Sequence, residues 1–184
     1  MKEVGAYVLS AVGVLMMAGI VAKALSSNMS YLQLRLVIIN ALRQSPNRAE
    51  AMCRPMKMTF AEAIHAALKG GAMARASDVK TVQEVTWATY DGSCTVVSAG
   101  WKALVGKAKL ALMAAGGGAI LMFSGKSVSV LIILLTIATG IGFLILFFRK
   151  QEIERTLTLA RLEVLPEVQR AFIEERYVLP PLPQ

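Results

Sequence analysis

Three long stretches of this sequence are apolar, and the rest alternates polar and apolar residues. The first runs from Val4 to Ala22, 19 residues without a charge. The other two lie between Ala103 and Phe148, parted by the tetrapeptide at 124–127. From Ser127 to Phe148 the 22 uncharged residues would form about 33 Å of helix, enough for a hydrocarbon core of ~30 Å. The pattern predicts membrane helices over 4–24, 103–124 and 127–148, the last two as a hairpin.

The first apolar stretch also resembles a signal peptide, because Ala22-Lys23-Ala24 has the small-x-small pattern of a cleavage site. Its length exceeds the usual apolar core of about 7–15 residues in such peptides. We therefore interpret it as an uncleaved membrane helix.

The segment 25–102 has the spacing of several amphipathic helices and no strand pattern, so we expect a helical domain. Ser45-Pro46 breaks the first of these helices, and Thr59 with Glu62 forms a capping box for a later one. Gly70-Gly71 predicts a helix end, Ser77 a further cap, and Asp91-Gly92 a turn or kink.

The second crossing is the least regular, with only 14 uninterrupted apolar residues from Leu110 to Phe123. Small residues in it predict close helix packing; they are Ala114, Gly116, Gly117 and Gly118. Trp101, Arg149 and Lys150 flank the hairpin and are predicted to anchor it at the membrane interface. Lys107 and Lys109 lie about one turn inside the second apolar stretch, and they are predicted to act as anchors by extending back to the headgroups.

The tail, 149–184, has the pattern of a charged helix with a new turn at Pro166 and an extended polyproline end at 180–183. The whole sequence therefore predicts an all-α integral membrane protein with three transmembrane helices, a cytoplasmic helical domain and a cytoplasmic tail helix.

Composition and charge support this fold and indicate its orientation. The chain is 55% hydrophobic with a mean hydropathy of +0.56, more apolar than a typical soluble domain. Lys and Arg outnumber Asp and Glu by 12 to 5 between residues 23 and 109, and the tail holds 6 of each. The positive-inside rule then predicts a multi-pass membrane protein with the N-terminus outside, Lys126 at the outer tip and the C-terminus in the cytoplasm. The net charge of +8 follows from this topology; without an aromatic-rich basic stripe it does not favour nucleic-acid binding.

No catalytic chemistry is indicated by the sequence. Gly125-Lys126-Ser127 lacks the upstream glycine of a phosphate-binding loop, since Ile120 stands there. His65 is the only histidine, and Cys53 and Cys94 are too far apart in sequence to suggest a metal motif. We expect no enzyme activity, no metal and no cofactor.

The apolar stretches contain no Asp, Glu, Arg or His, so they lack the carboxylate that a proton relay would use. Thr136 and Thr139 share one face of the third helix. Their hydroxyls either bond back to the carbonyl four residues earlier or line a hydrated interface with a partner helix.

The order of elements is similar to that of the MotA/TolQ/ExbB proton-channel family, and residues 42–53 resemble the helix-turn-helix that follows that family's first crossing. The resemblance covers about residues 4–170. It implies a location in a bacterial inner membrane and a homopentamer around two single-pass partner chains that couples ion flow to mechanical work. The partner would carry the ion-binding Asp, and Thr136 and Thr139 would belong to the ion pathway.

Two functional classes remain open from the sequence. One is an ion-channel-forming motor or energiser subunit in contact with membrane lipid and a single-pass partner. The other is a non-conducting scaffold subunit of a larger membrane complex.

Overall fold

The computed structural model describes residues 2–26, 30–74, 78–123 and 129–174, and within these ranges every regular element is an α-helix. The all-α prediction is confirmed for this part of the chain. In chain order the helices are α1 (Lys2–Leu25), α2 (Tyr31–Gln44), α3 (Pro46–Cys53), α4 (Phe60–Ala74), α5 (Val79–Phe123), α6 (Val130–Glu163) and α7 (Leu165–Ile173).

Three candidate membrane spans confirm the prediction of three long apolar helices. They lie within Glu3–Leu25, Val79–Phe123 and Val130–Ile173. The last two ranges are about twice the length that a bilayer requires. Their apolar parts are 103–123 of α5 and 130–148 of α6, and the remainder of each helix is charged and amphipathic.

Asp91-Gly92, predicted as a turn or kink, does not end a helix, because α5 runs unbroken from Val79 to Phe123. A glycine inside a helix costs about 1 kcal/mol relative to alanine, which packing and hydrogen bonding along a long helix readily offset. The helix begins after Asp78, whose carboxylate accepts a hydrogen bond from the Thr81 amide at 3.1 Å. Asp78 thus performs the capping role.

Helix α4 differs from its prediction at both ends. Glu62 accepts a hydrogen bond from the Met58 amide at 2.6 Å, and the Thr59 hydroxyl donates to the Met56 carbonyl, so the two residues do not form the reciprocal capping box. The helix also continues past Gly70-Gly71 to Ala74. Gly71 has a packing role instead, since a Cβ there would lie 2.6 Å from the Phe172 ring of α7.

Two predicted boundaries are confirmed. Ser45 adopts an extended conformation between α2 and α3, and Pro46 opens α3. Pro166 lies in the first turn of α7. The cap at Ser77, the hairpin tip at 124–127 with Lys126 and the polyproline end at 180–183 are predictions that lie outside the described residues.

The chain divides into two compact units, which we call the apolar unit (1–28 and 101–151) and the polar unit (29–100 and 152–184). Helices α5 and α6 each contribute to both. The assignment of the polar unit to a cytoplasmic domain and tail stays a prediction.

In the apolar unit, α1 crosses the α5–α6 hairpin where small residues remove side-chain bulk. A Cβ on Gly13 would lie 2.7 Å from the Ala111 carbonyl oxygen and 2.8 Å from the Ala115 nitrogen. One turn further along the same face of α1, Met17 meets α6, where a Cβ on Gly142 would lie 2.7 Å from Met17 Cγ. Near the hairpin tip, the Tyr7 hydroxyl donates to the Ser129 hydroxyl at 2.9 Å.

The polar unit has buried aliphatic side chains of its own, mainly from α2, α4 and α7. The Tyr90 hydroxyl of α5 reaches α6, where it donates to the Leu157 carbonyl at 2.6 Å. The fully buried aliphatic residues of this core include Ile38, Leu42, Ile64, Leu68, Val164, Leu165 and Val168.

Candidate functional site

Thr136 and Thr139 lie on α6 within the apolar unit, and both hydroxyls have backbone acceptors. Thr136 donates to the Ile132 carbonyl at 2.9 Å and lies 3.3 Å from the Ala115 carbonyl of α5. Thr139 donates to the carbonyls of Leu135 and Thr136 at 3.2 and 2.8 Å. This geometry matches the back-bonding interpretation of the sequence. Each donated proton still leaves oxygen lone pairs that can accept a further bond.

The two threonines differ in access. Thr139 is only 1% exposed, since α6 presents it to the interior of the three-helix bundle. Thr136 is half-buried and faces the gap between α6 and α5. If either contacts a neighbouring chain, Thr136 is the better placed.

The small residues of α5 fall on two faces instead of one. Gly118 packs against α1, where an added Cβ would meet Ser10 Oγ and lie 2.7 Å from the Ala6 carbonyl oxygen. Gly116 and Gly117 have nothing within 4 Å of such a Cβ, and Ala114 is half-buried. Of the three glycines, Gly118 alone makes a close packing contact with the described part of the chain.

Ser10 marks the same crossing from the α1 side. It is 0% exposed, and its hydroxyl has no hydrogen-bond partner among the described residues. An unpaired hydroxyl in an apolar environment is costly. The serine side chain is nevertheless suited to this position, because its small volume lets α1 approach Gly118 closely. Ala6, Ser10 and Gly13 recur on one face of α1 at spacings of four and three residues, and this spacing is the sequence signal that points to the contact.

The predicted interfacial anchors occupy different environments. Trp101 is 2% exposed, so its ring is not displayed at the surface. Lys107 and Lys109 are exposed on α5, whereas Arg149 and Lys150 of α6 are half-buried. The anchoring role itself stays a prediction for all five.

The polar unit contains a cavity of about 180 Å³ between α5 and α6 that sequence reasoning missed. Arg161 crosses it, with its guanidinium 3.4 Å from Asp91 and 4.1 Å from the centre of the Trp87 ring. Residues far apart in sequence line it, and no local motif joins them; they are Tyr90, Asp91, Cys94, Ser98, Glu154, Leu157, Thr158 and Arg161.

Charged pairs tie α2 to the end of α6 and to α7. Glu163 accepts hydrogen bonds from the Tyr31 hydroxyl at 2.7 Å and from Arg35 at 2.6 Å. Burial and the neighbouring carboxylate raise the pKa of Tyr31, so this phenol stays a proton donor. Arg43 pairs with Glu167 of α7 at 2.8 Å in the same way.

His65 and Cys53 have structural environments. Burial lowers the pKa of His65, despite Glu50 at 3.8 Å, so its imidazole is neutral near pH 7. Burial raises the pKa of Cys53 to about 12, and its thiol is 0% exposed. Within the described ranges no group of three His, Cys, Asp or Glu side chains is arranged to hold a metal ion.

Together these features define an all-helical protein with three helices suited to a membrane and a polar helical unit built from the segments between and after them. Comparison with models of protein families, with curated proteins and with solved structures finds no match to this chain. The similarity to the MotA/TolQ/ExbB family therefore stays a hypothesis that rests on the order of elements and on residues 42–53.

Proposed function

We propose that this protein is an inner-membrane subunit of an ion-driven motor or energiser, in which identical copies surround a single-pass partner. The observation that carries the proposal is the outward surface of α5. Met113, Gly117 and Ile120 recur there at helical spacing; Met113 and Ile120 are 69% and 71% exposed. We call these three residues the open face.

The open face suits contact with another helix better than contact with lipid alone. A Cβ built on Gly117 would have no atom within 4 Å, so there is room for a neighbouring helix to approach the α5 backbone at this position. Lipid chains gain little from a glycine at such a position, because the residue costs helix stability and offers no apolar area. A second protein helix is the occupant that makes use of it.

The need for a partner follows from the absence of an acidic group in the apolar segments. Ion transfer through a membrane protein uses a carboxylate or similar group at membrane depth. Neither 4–22 nor 103–148 contains Asp or Glu. A conducting assembly would therefore take this group from the partner, and this chain would supply hydroxyl and backbone oxygens, with Thr136 nearest to a neighbour.

The proposed orientation has the N-terminus and hairpin tip outside and the polar unit in the cytoplasm, as the positive-inside rule favours. On this proposal the protein has no enzymatic activity of its own, requires no cofactor and does not bind nucleic acid. Five copies and two partner chains are the stoichiometry that the family resemblance implies.

A non-conducting scaffold is the second candidate function. The bonds from Thr136 and Thr139 to backbone carbonyls favour it, because a helix that needs only internal satisfaction of its hydroxyls can serve packing alone. Both functions place the protein in an oligomeric membrane complex, and they differ in stoichiometry and in ion flow.

Stoichiometry distinguishes the two. The complex would be solubilised under mild conditions through a tag on this chain and its subunit masses measured by native mass spectrometry. We expect five copies with two copies of a single-pass chain that bears a membrane carboxylate. One copy among unrelated subunits would contradict the energiser proposal and support the scaffold.

A further inference from the structure

A strip of α5 at one end of the apolar unit combines two lysines with a bare stretch of backbone. Lys102, Gly106 and Lys109 follow each other at spacings of four and three residues, so they lie on one face of the helix. All three are exposed, and nothing lies within 4 Å of a Cβ built on Gly106. We call these three residues the basic strip.

Within the described part of the chain, neither lysine of the strip forms an ion pair or a side-chain hydrogen bond. Glu3 is the only acidic residue of the apolar unit, and it lies near the opposite end, on α1. Along α6, by contrast, Arg149 and Lys150 are followed closely by Glu152 and Glu154. The basic strip is therefore a concentration of positive charge without an internal counter-ion.

Contacts within the apolar unit define the depth of the strip. Thr136 lies opposite Ala115 in the antiparallel hairpin. Stepping along both helices from that pair places Lys109 level with Gly142 and Lys102 level with Arg149. Lys109 thus lies six residues, or about 9 Å, inside the last apolar residue, Phe148. Its ammonium group is further from the hydrocarbon centre than its Cα, because helical side chains lean toward the N-terminus, here toward Gly106.

From this geometry we infer that the basic strip binds the phosphate of an anionic phospholipid. The headgroup lies over the exposed backbone at Gly106, between the ammonium group of Lys102 at the membrane edge and that of Lys109, which extends toward the edge from a deeper position. Phosphate is the anion that a bilayer supplies at this depth, and clustered lysines beside a membrane helix attract anionic lipids. The inference goes beyond the proposed function and rests only on its membrane insertion.

Lipid retention in native mass spectrometry tests the site. The full chain would be reconstituted in nanodiscs of phosphatidylcholine and phosphatidylglycerol, released into detergent, and the bound lipids counted. We expect phosphatidylglycerol to be retained over phosphatidylcholine. Because each lysine near a membrane surface contributes on the order of fivefold, Lys102→Gln with Lys109→Gln should lower the preference by about twentyfold to thirtyfold. Lys69→Gln with Lys80→Gln, which removes the same charge from the polar unit, should leave it unchanged.

A second variant separates a built site from diffuse attraction. Gly106→Leu keeps every charge but fills the space over the backbone, and we expect it to reduce retention several-fold. Gly19→Leu, at an exposed glycine of α1 that also has nothing within 4 Å of an added Cβ, should not reduce it. Equal retention in Gly106→Leu, or a loss in the polar-unit control as large as in the strip variant, would overturn the inference. The inference would also be overturned if the double lysine variant kept its phosphatidylglycerol and instead lost an acidic protein that co-purifies with the wild-type chain. Failure of the chain to insert into nanodiscs would contradict the proposed function itself.

Discussion

A hydroxyl group in a membrane helix either bonds to its own backbone or contacts something outside its helix. Thr136 and Thr139 do the first in this structure, yet they differ in what else they can reach. Thr139 is closed within the bundle, whereas Thr136 is half-buried beside α5. At the residue scale, the energiser proposal therefore rests mainly on Thr136.

Valine substitution tests this difference because valine keeps the β-branched shape and removes the hydroxyl. We expect Thr136→Val to reduce ion-driven activity of the assembly about tenfold, since loss of one hydrogen bond costs about 1 kcal/mol or somewhat more at a polar pathway. Activity would be measured as proton flux into vesicles that contain the complex.

Thr158→Val is the matched control for that measurement. Thr158 lies on the same helix and makes the same type of bond, donating to the Glu154 carbonyl at 3.1 Å, but it belongs to the polar unit. It should retain wild-type flux. Full activity in Thr136→Val would remove this residue from any ion pathway and leave the scaffold function as the better explanation.

At the element scale, the close crossing of α1 over α5 depends on glycines at two positions. Gly13 faces backbone atoms of α5 at 2.7 and 2.8 Å from an added Cβ, and Gly118 faces the Ala6 carbonyl at 2.7 Å. Backbone atoms cannot rotate away as a side chain can. The helices must therefore separate if either position gains a methyl group.

We expect Gly13→Ala and Gly118→Ala each to destabilise the protein by about 1–3 kcal/mol, the usual cost of overpacking. Thermal unfolding of the purified protein in detergent, followed by circular dichroism, would show this as a lower Tm. Gly19→Ala is the control, because its Cβ meets no atom within 4 Å and alanine favours the helix. If all three variants had the same Tm, the α1–α5 contact would be wrong.

Sequence reasoning identified the small residues at this crossing but not their division between two faces. The sequence identifies Gly116, Gly117 and Gly118 as small residues. It does not show which of them meets α1, because the rotation of α5 about its axis depends on its tertiary partners. The same limit explains Gly71 and Asp91-Gly92. At both sites the glycine predicted a helix end or a turn. In the structure Gly71 lies inside α4 and packs against Phe172, and α5 runs on through Asp91-Gly92.

For the whole molecule, hydropathy alone gave the three apolar helices, because the length of a membrane crossing is a property of single segments. The polar unit was harder to predict. It is assembled from two separate ranges of the chain, and its ties join residues more than a hundred positions apart, such as Tyr31 and Glu163. The cavity crossed by Arg161 is likewise lined by residues from two separate stretches of the chain, 90–98 and 154–161, so no local sequence motif predicts it.

The division into two units has a consequence for topology. Residues 29–100 and 152–174 pack into one polar unit, although two apolar segments lie between them in sequence. Both ranges must therefore lie on the same side of the membrane. An even number of crossings between them, as the hairpin of α5 and α6 supplies, satisfies this requirement.

Cysteine accessibility tests this three-crossing arrangement most directly. Cys53 is buried with a raised pKa, so it can stay, and Cys94→Ser removes the half-buried thiol. Single cysteines would then be introduced by Gln33→Cys, Arg155→Cys or Lys126→Cys, the first two at exposed positions of the polar unit. Intact cells would be treated with a membrane-impermeant maleimide before and after permeabilisation.

The account predicts that only Lys126→Cys is labelled in intact cells, and that Gln33→Cys and Arg155→Cys become reactive together after permeabilisation. Labelling of Gln33→Cys and Arg155→Cys on opposite sides of the membrane would contradict the three-crossing structure. Labelling of both from outside would contradict the proposed orientation.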